Sequence, residues 1–133
     1  MEKYRNLTVD EYLNAFKVLS NEDVTFIMAI YNSPNHTASA KFLADKLSNG
    51  KKYQWSNGRV ATIGKKISES ASVHHPDYIQ DINPKGTYTG PTYFMFIGPY
   101  YKSEGKVNKT PNGWELMKNL CKAIEINFKI TSE

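Results

Sequence analysis

Arg59, Thr62 and Lys66, with Lys65 beside them, recur at the three- and four-residue steps of a helix and so gather donor-bearing side chains on one face. A guanidinium at the start of such a helix can grip guanine O6 and N7 with two parallel N–H bonds, and ammonium groups can take phosphates. Just upstream, Tyr53, Gln54, Trp55, Ser56 and Asn57 set two aromatic rings among amide and hydroxyl groups. An extruded base needs that combination: a face to stack on and partners for its edge. Thr37, Ser39 and Lys41 open the preceding helix, where free N–H groups and the helix dipole favour a phosphate, and Lys51 and Lys52 lie between the two helices.

Other chemistries are less well supplied. His74-His75-Pro76-Asp77 has metal-ligand types, but adjacent histidines in extended chain point opposite ways and no fourth ligand accompanies them, so no metal site is expected. Pro76-Asp77 followed by Glu104-Gly105-Lys106 spells a PD…ExK pattern, which makes a Mg²⁺-dependent nuclease the enzymatic alternative. Glu104, however, falls in an expected turn, whereas a rigid metal ligand is better held on a strand. No Gly-flanked nucleophile with a base nearby occurs, and neither a catalytic residue nor a cofactor is assigned. Cys121 is the single cysteine, which excludes an internal disulfide, and its neighbours Met117, Leu120 and Ile124 mark it as a core residue.

Charge is unevenly placed. Residues 41–66 carry seven cations against Asp45 alone, a local +6, so the rest of the chain holds −2 of the net +4. Concentrated positive charge attracts polyanions through counterion release. It would equally suit an acidic protein partner, which makes a protein-interaction or regulatory module the non-enzymatic alternative. With 133 residues, 40% hydrophobic and 23% charged, one domain with one core is expected. No apolar run reaches the roughly 18 residues of a membrane span, and residues 1–12 lack the apolar segment of a signal peptide, so the expected location is the cytoplasm, away from membranes.

The elements that would position these residues follow from caps and periodicity. Thr8 with Glu11 forms a capping box, with Leu7 and Tyr12 spaced as a hydrophobic staple, so a helix starts at Val9. Ser20 to Asp23 breaks it, and Val24, Ile27, Met28 and Tyr31 form the stripe of a second helix that ends before Pro34. Thr37 is the expected cap of a third, with Ala40, Leu43, Ala44 and Leu47 inward and Asn49-Gly50 as its stop. Ser56 or Asn57 is the expected cap of a fourth, with Val60, Ile63, Gly64, Ile67 and Ala71 inward and Arg59, Thr62 and Lys66 outward. Tyr53 to Asn57 is thereby placed in the loop between the third and fourth helices.

Residues 74–90 read as a loop, Pro91 to Tyr101 as a strand turning at Lys102–Lys106 into a partner through Val107, and Trp114, Met117, Cys121, Ile124 and Phe128 as the stripe of a closing helix. The expectation is an α+β, mostly helical fold: a winged-helix-like helical core with a β-hairpin wing and a C-terminal helix. Within this single domain, 1–35 are N-terminal helices, 36–72 a helix-turn-helix, 86–110 the strand and wing, and 112–129 the last helix. The major groove, about 12 Å wide, admits the helix after the turn, while the wing residues Tyr100, Tyr101, Lys102, Lys106 and Lys109 suit backbone phosphates.

Pro34, His36-Thr37-Ala38-Ser39-Ala40, Leu43-Ala44, Leu47, Tyr53, Trp55, Asn57-Gly58, Val60, Ile63-Gly64-Lys65 and Ile67, in this order, resemble a domain that accompanies HNH nucleases in modification-dependent restriction enzymes. The likeness spans residues 34–67. It implies double-stranded DNA as ligand, modified DNA included, read by a non-catalytic module of a restriction or defence system. No HNH segment follows, since His74-His75 lacks the later Asn and His. The expectation is therefore a detached binding domain, a fragment or a stand-alone relative, acting with a partner nuclease or with a nuclease domain outside this chain.

Overall fold

The structure, a computed structural model, describes residues 5–73, 96–98, 101–103, 106–108 and 113–130. Helix α1, Val9–Ala15, begins where the sequence places it: Thr8 Oγ1 accepts from the Glu11 N–H and Glu11 Oε1 from the Thr8 N–H. Leu7 and Tyr12 are both buried, as a staple requires. Helix α2, Asn21–Tyr31, starts on a second reciprocal box between Ser20 and Asp23. Helix α3, Ala40–Leu47, and helix α4, Gln54–Ala71, form an adjacent packed pair joined by residues 48–53.

Both expected caps of that pair are displaced. Ser39, not Thr37, caps α3 by accepting from the Phe42 N–H at 3.1 Å, because Thr37 and Ala38 form strand β1. Helix α4 starts earlier than expected, on Tyr53, so Gln54, Trp55, Ser56 and Asn57 lie in its first turn and not in a loop. Ser56 is fully buried and its hydroxyl donates to the Ala40 carbonyl at 2.6 Å, which pins α4 to α3 and leaves it nothing to cap.

Four further short strands complete the sheets: β2 Ile97–Gly98, β3 Tyr101–Ser103, β4 Lys106–Asn108 and β5 Trp114–Leu116. Strand β5 is central in a three-stranded antiparallel sheet of order β1-β5-β2, with Ala38 opposite Trp114 and Ile97 opposite Leu116. Strands β3 and β4 form a hairpin between β2 and β5 in the chain. The expected closing helix over 112–129 is thus corrected. Trp114 and Leu116 are buried with Glu115 between them less so, a period of two, and helix α5 runs only Lys118–Asn127. The chain is α+β and mostly helical. Pro91–Met95, the first half of the expected strand, and the loop 74–90 lie outside the described residues.

Helix α4 is central to the core: Val60, Ile63 and Ile67 pack there with Phe26, Ile27, Ile30, Leu43, Trp114 and Ile124. Helix α1 packs against α4 and α5. Cys121 is buried, and burial first, then Glu125 and Glu115, pushes its thiol up to about 11, so it stays protonated at neutral pH. Among the described residues no helix is long and apolar enough to cross a membrane.

Gly113 enters β5 at φ +109°, and a methyl there would meet the Ala38 carbonyl oxygen, its carbon at 2.7 Å and Ser39 Cα at 2.8 Å. Gly113→Ala combines a left-handed strain with a clash against backbone, and should lower stability by about 2–4 kcal/mol, read from urea midpoints. Arg5 forms a two-pronged pair with Glu11 at 2.7 and 2.8 Å and holds its carboxyl down from 4.5 to about 2. A depressed folded value means stability that is complete above about 4.5 and is lost as pH falls toward 2. Arg5→Ala should flatten that acid limb of the stability profile.

Candidate functional site

Asp23 decides which of the cationic side chains face solvent. Its carboxylate is fully buried. Oδ2 accepts from the Ser20 N–H at 3.0 Å and from Lys66 Nζ at 2.5 Å, and Oδ1 takes Arg59 Nη2. Glu22 Oε1 adds a longer contact of 3.7 Å to Arg59 Nε. Burial raises the Asp23 carboxyl, but the Lys66 ammonium and the Ser20 hydrogen bonds outweigh it and leave it below the usual carboxylate range. Residues 59 and 66 are two turns apart on one face of α4, so one carboxylate on α2 serves both.

Arg59 and Lys66 are therefore not on the outward face that the helical spacing suggests. Their side chains are only 20% and 35% exposed and are turned toward α2. The exposed residues of α4 are Gln54, Gly58, Thr62, Lys65 and Glu69, a stripe at steps of four, four, three and four. Thr62 remains on it, with its hydroxyl bonded back to the Gly58 carbonyl at 3.0 Å. A methyl at Gly58 would meet nothing within 4 Å, so this point of the stripe is open to close approach. Gln54 and Lys65 complete its N-terminal part, while Glu69 brings negative charge at the other end.

The aromatic cluster divides. Trp55 is half-buried against Phe26, with ring centroids 6.0 Å apart at 58°, and belongs to the core margin. Tyr53 is 53% exposed. It lines a shallow depression of about 270 Å³ with Lys41 and Asp45 from α3 and Gly50, Lys51 and Lys52 from the connection. Lys41, Lys51, Lys52 and Lys65 make no ion pair among the described residues, whereas Lys46 lies 5.6 Å from the Phe42 ring centre. Asp45 is the site residue that the sequence analysis left unassigned, because only the fold of the connection shows that it faces those lysines.

Thr37 bonds the Asn35 carbonyl and Ser39 is occupied as a cap. His36 donates from Nδ1 to the Tyr31 carbonyl at 2.6 Å and stacks on the Tyr31 ring. The wing residues Tyr101, Lys102 and Lys106 lie in the hairpin β3–β4, while Tyr100 and Lys109 fall outside the described residues. His74, His75, Pro76, Asp77 and Glu104 fall outside them as well. Among the described residues no three His, Cys, Asp or Glu side chains gather as a metal site. Comparison with protein-family models, curated proteins and solved structures returned no match.

Removing the Asp23 carboxylate strands two cations, which retain some access to water, and deletes half of a capping box. Asp23→Ala should cost about 3 kcal/mol of stability, measured by denaturant unfolding. Because the folded carboxyl is depressed, its contribution is complete above the ordinary value of 3.8 and fades as pH falls through the folded one. Asp23→Asn should therefore close the gap to wild type on acidification below about pH 4.

Proposed function

We propose that this chain is a non-catalytic, winged-helix-like DNA-binding module that lays the N-terminal half of α4 in the major groove. The observation that carries this reading is the solvent stripe Gln54, Gly58, Thr62 and Lys65, flanked by the exposed Lys41, Lys51 and Lys52, which make no ion pair among the described residues. A glutamine amide can pair with adenine N6 and N7, a glycine lets the helix approach closely, and the lysines suit phosphates on either side. In a helix-turn-helix the residues that touch bases lie toward the start of the second helix, and that orientation keeps Glu69, at the other end of the stripe, away from the phosphates.

The connectivity supports the same reading. A strand ahead of the helix pair joins the three-stranded sheet, and a hairpin falls between two strands of that sheet in the chain, the order in which a winged helix places its wing. Relative to the spacing argument, the groove-facing set moves: Arg59 and Lys66 hold the recognition helix in place, and Gln54 and Lys65 take over its outer face. The resemblance over residues 34–67 makes base modification the first variable to test, and a restriction or defence system the setting.

Fluorescence anisotropy with a labelled duplex at about 50 and 200 mM salt should show binding that weakens steeply with salt. Lys51→Ala and Lys65→Ala should each reduce the salt slope by about one, while Lys122→Ala on the exposed side of α5 leaves it unchanged. Methylated and hydroxymethylated duplexes in the same series report any modification read. Absence of binding to every duplex at the lower salt would sink the proposal.

A further inference from the structure

We propose that the depression between α3 and the α3–α4 connection is a nucleotide site that takes one unpaired or extruded nucleotide of the bound DNA. The inference rests on the DNA-binding reading and adds to it a site beside the groove-facing stripe, sharing Lys41, Lys51 and Lys52 with the flank of that surface. Four kinds of group meet in the depression: the exposed Tyr53 ring, the ammonium groups of Lys41, Lys51 and Lys52, the carboxylate of Asp45 and the backbone at Gly50. Its volume of about 270 Å³ lies just below the range of small-ligand clefts, about 300–1,000 Å³, which suits at most one nucleotide.

Each group has a chemical counterpart in a nucleotide. A half-exposed aromatic ring that packs no core offers its face for base stacking, a contact every base can make. Three lysines around one opening suit the phosphates on both sides of the stacked base, since a nucleotide leaves the duplex only with its backbone drawn outward. Asp45 accepts hydrogen bonds and cannot donate them, so it favours a base that presents N–H groups: the N1 and N2 edge of guanine, or the exocyclic amine of cytosine or adenine. The carboxylate distinguishes the depression from an all-cationic patch and supplies an acceptor for a base edge. Gly50 takes φ +91° just ahead of Lys51, Lys52 and Tyr53, which line the depression with it.

The depression also adjoins the groove-facing helix. Tyr53 is the residue on which α4 begins, and Gln54, the first member of the solvent stripe, follows it directly. A base displaced near Gln54 has Tyr53 as the next surface along the chain. The next two side chains along α4 are committed elsewhere, Trp55 to Phe26 and Ser56 to the Ala40 carbonyl.

The test compares two fluorescein-labelled duplexes of one sequence, fully paired and carrying a single unpaired guanine, by anisotropy with the full chain at low salt. The expected result is roughly tenfold tighter binding of the bulged duplex. Tyr53→Ala should bring the ratio of the two affinities close to one, and Tyr53→Phe, which keeps the ring, should preserve it. Asp45→Asn should reduce the preference for unpaired guanine over unpaired thymine. Equal binding of the bulged and paired duplexes by the wild-type chain overturns the nucleotide site and leaves duplex binding standing. Failure to bind either one overturns the DNA reading itself, and this site with it. A bulge preference that survives Tyr53→Ala also overturns the assignment, because the preference then arises elsewhere on the surface.

Discussion

A single buried carboxylate sets the orientation of the helix on which the functional reading depends. Asp23 lies at the third position of α2, where it accepts the Ser20 N–H, and from there it holds Arg59 and Lys66 of α4. Two cations seven residues apart, fixed to one point, determine both the rotation of α4 about its axis and its height against α2. With Val60, Ile63 and Ile67 filling the core beside them, Gln54, Gly58, Thr62 and Lys65 have no direction left but solvent. An apolar contact could fix the helix as firmly but would tolerate sliding. A buried charge does not, since any shift leaves it unpaired at a cost of several kcal/mol.

The same carboxylate redistributes the basic field. Of the seven cations between residues 41 and 66, Arg59 and Lys66 are consumed internally, and their charge is offset by Asp23 and, in part, by Glu22. What remains available lies on α3, on the connection and at Lys65, so the positive surface is displaced toward the start of α4. Under the DNA-binding proposal, a field of this kind would orient the polyanion before contact, and its displacement would favour the N-terminal half of α4.

Sequence reasoning succeeded where the physical cause was local and failed where it was distant. The Thr8–Glu11 box and its Leu7–Tyr12 staple are complete within six residues, and the inward stripe of α4 repeats often enough to be read from periodicity alone. Strand β1 is two residues long, too short for any alternation to register, and its pairing with Trp114 joins residues more than 70 positions apart. Trp114 also stands at helical spacing from Met117 and Cys121, so periodicity assigns it to the following helix; only its pairing with Ala38 shows otherwise. The fate of Arg59 is the same kind of error. A helical wheel shows that it is off the apolar stripe, and nothing within α4 shows that a buried acid waits 36 residues upstream.

The start of α4 illustrates how a helix start displaced by three residues changes a functional assignment. If the helix began after Ser56, Tyr53 to Asn57 would be a loop free to form a pocket together. Because it begins on Tyr53, the five residues are distributed around a turn: Trp55 and Ser56 are drawn inward to Phe26 and Ala40, while Tyr53 and Gln54 stay out. The inward pair ties α4 to α2 and α3, and Tyr53 lines the depression with Lys51 and Lys52. Inward anchoring and outward exposure thus come from neighbouring residues of one short segment, with the core taking Trp55 and Ser56 and leaving Tyr53 and Gln54 exposed.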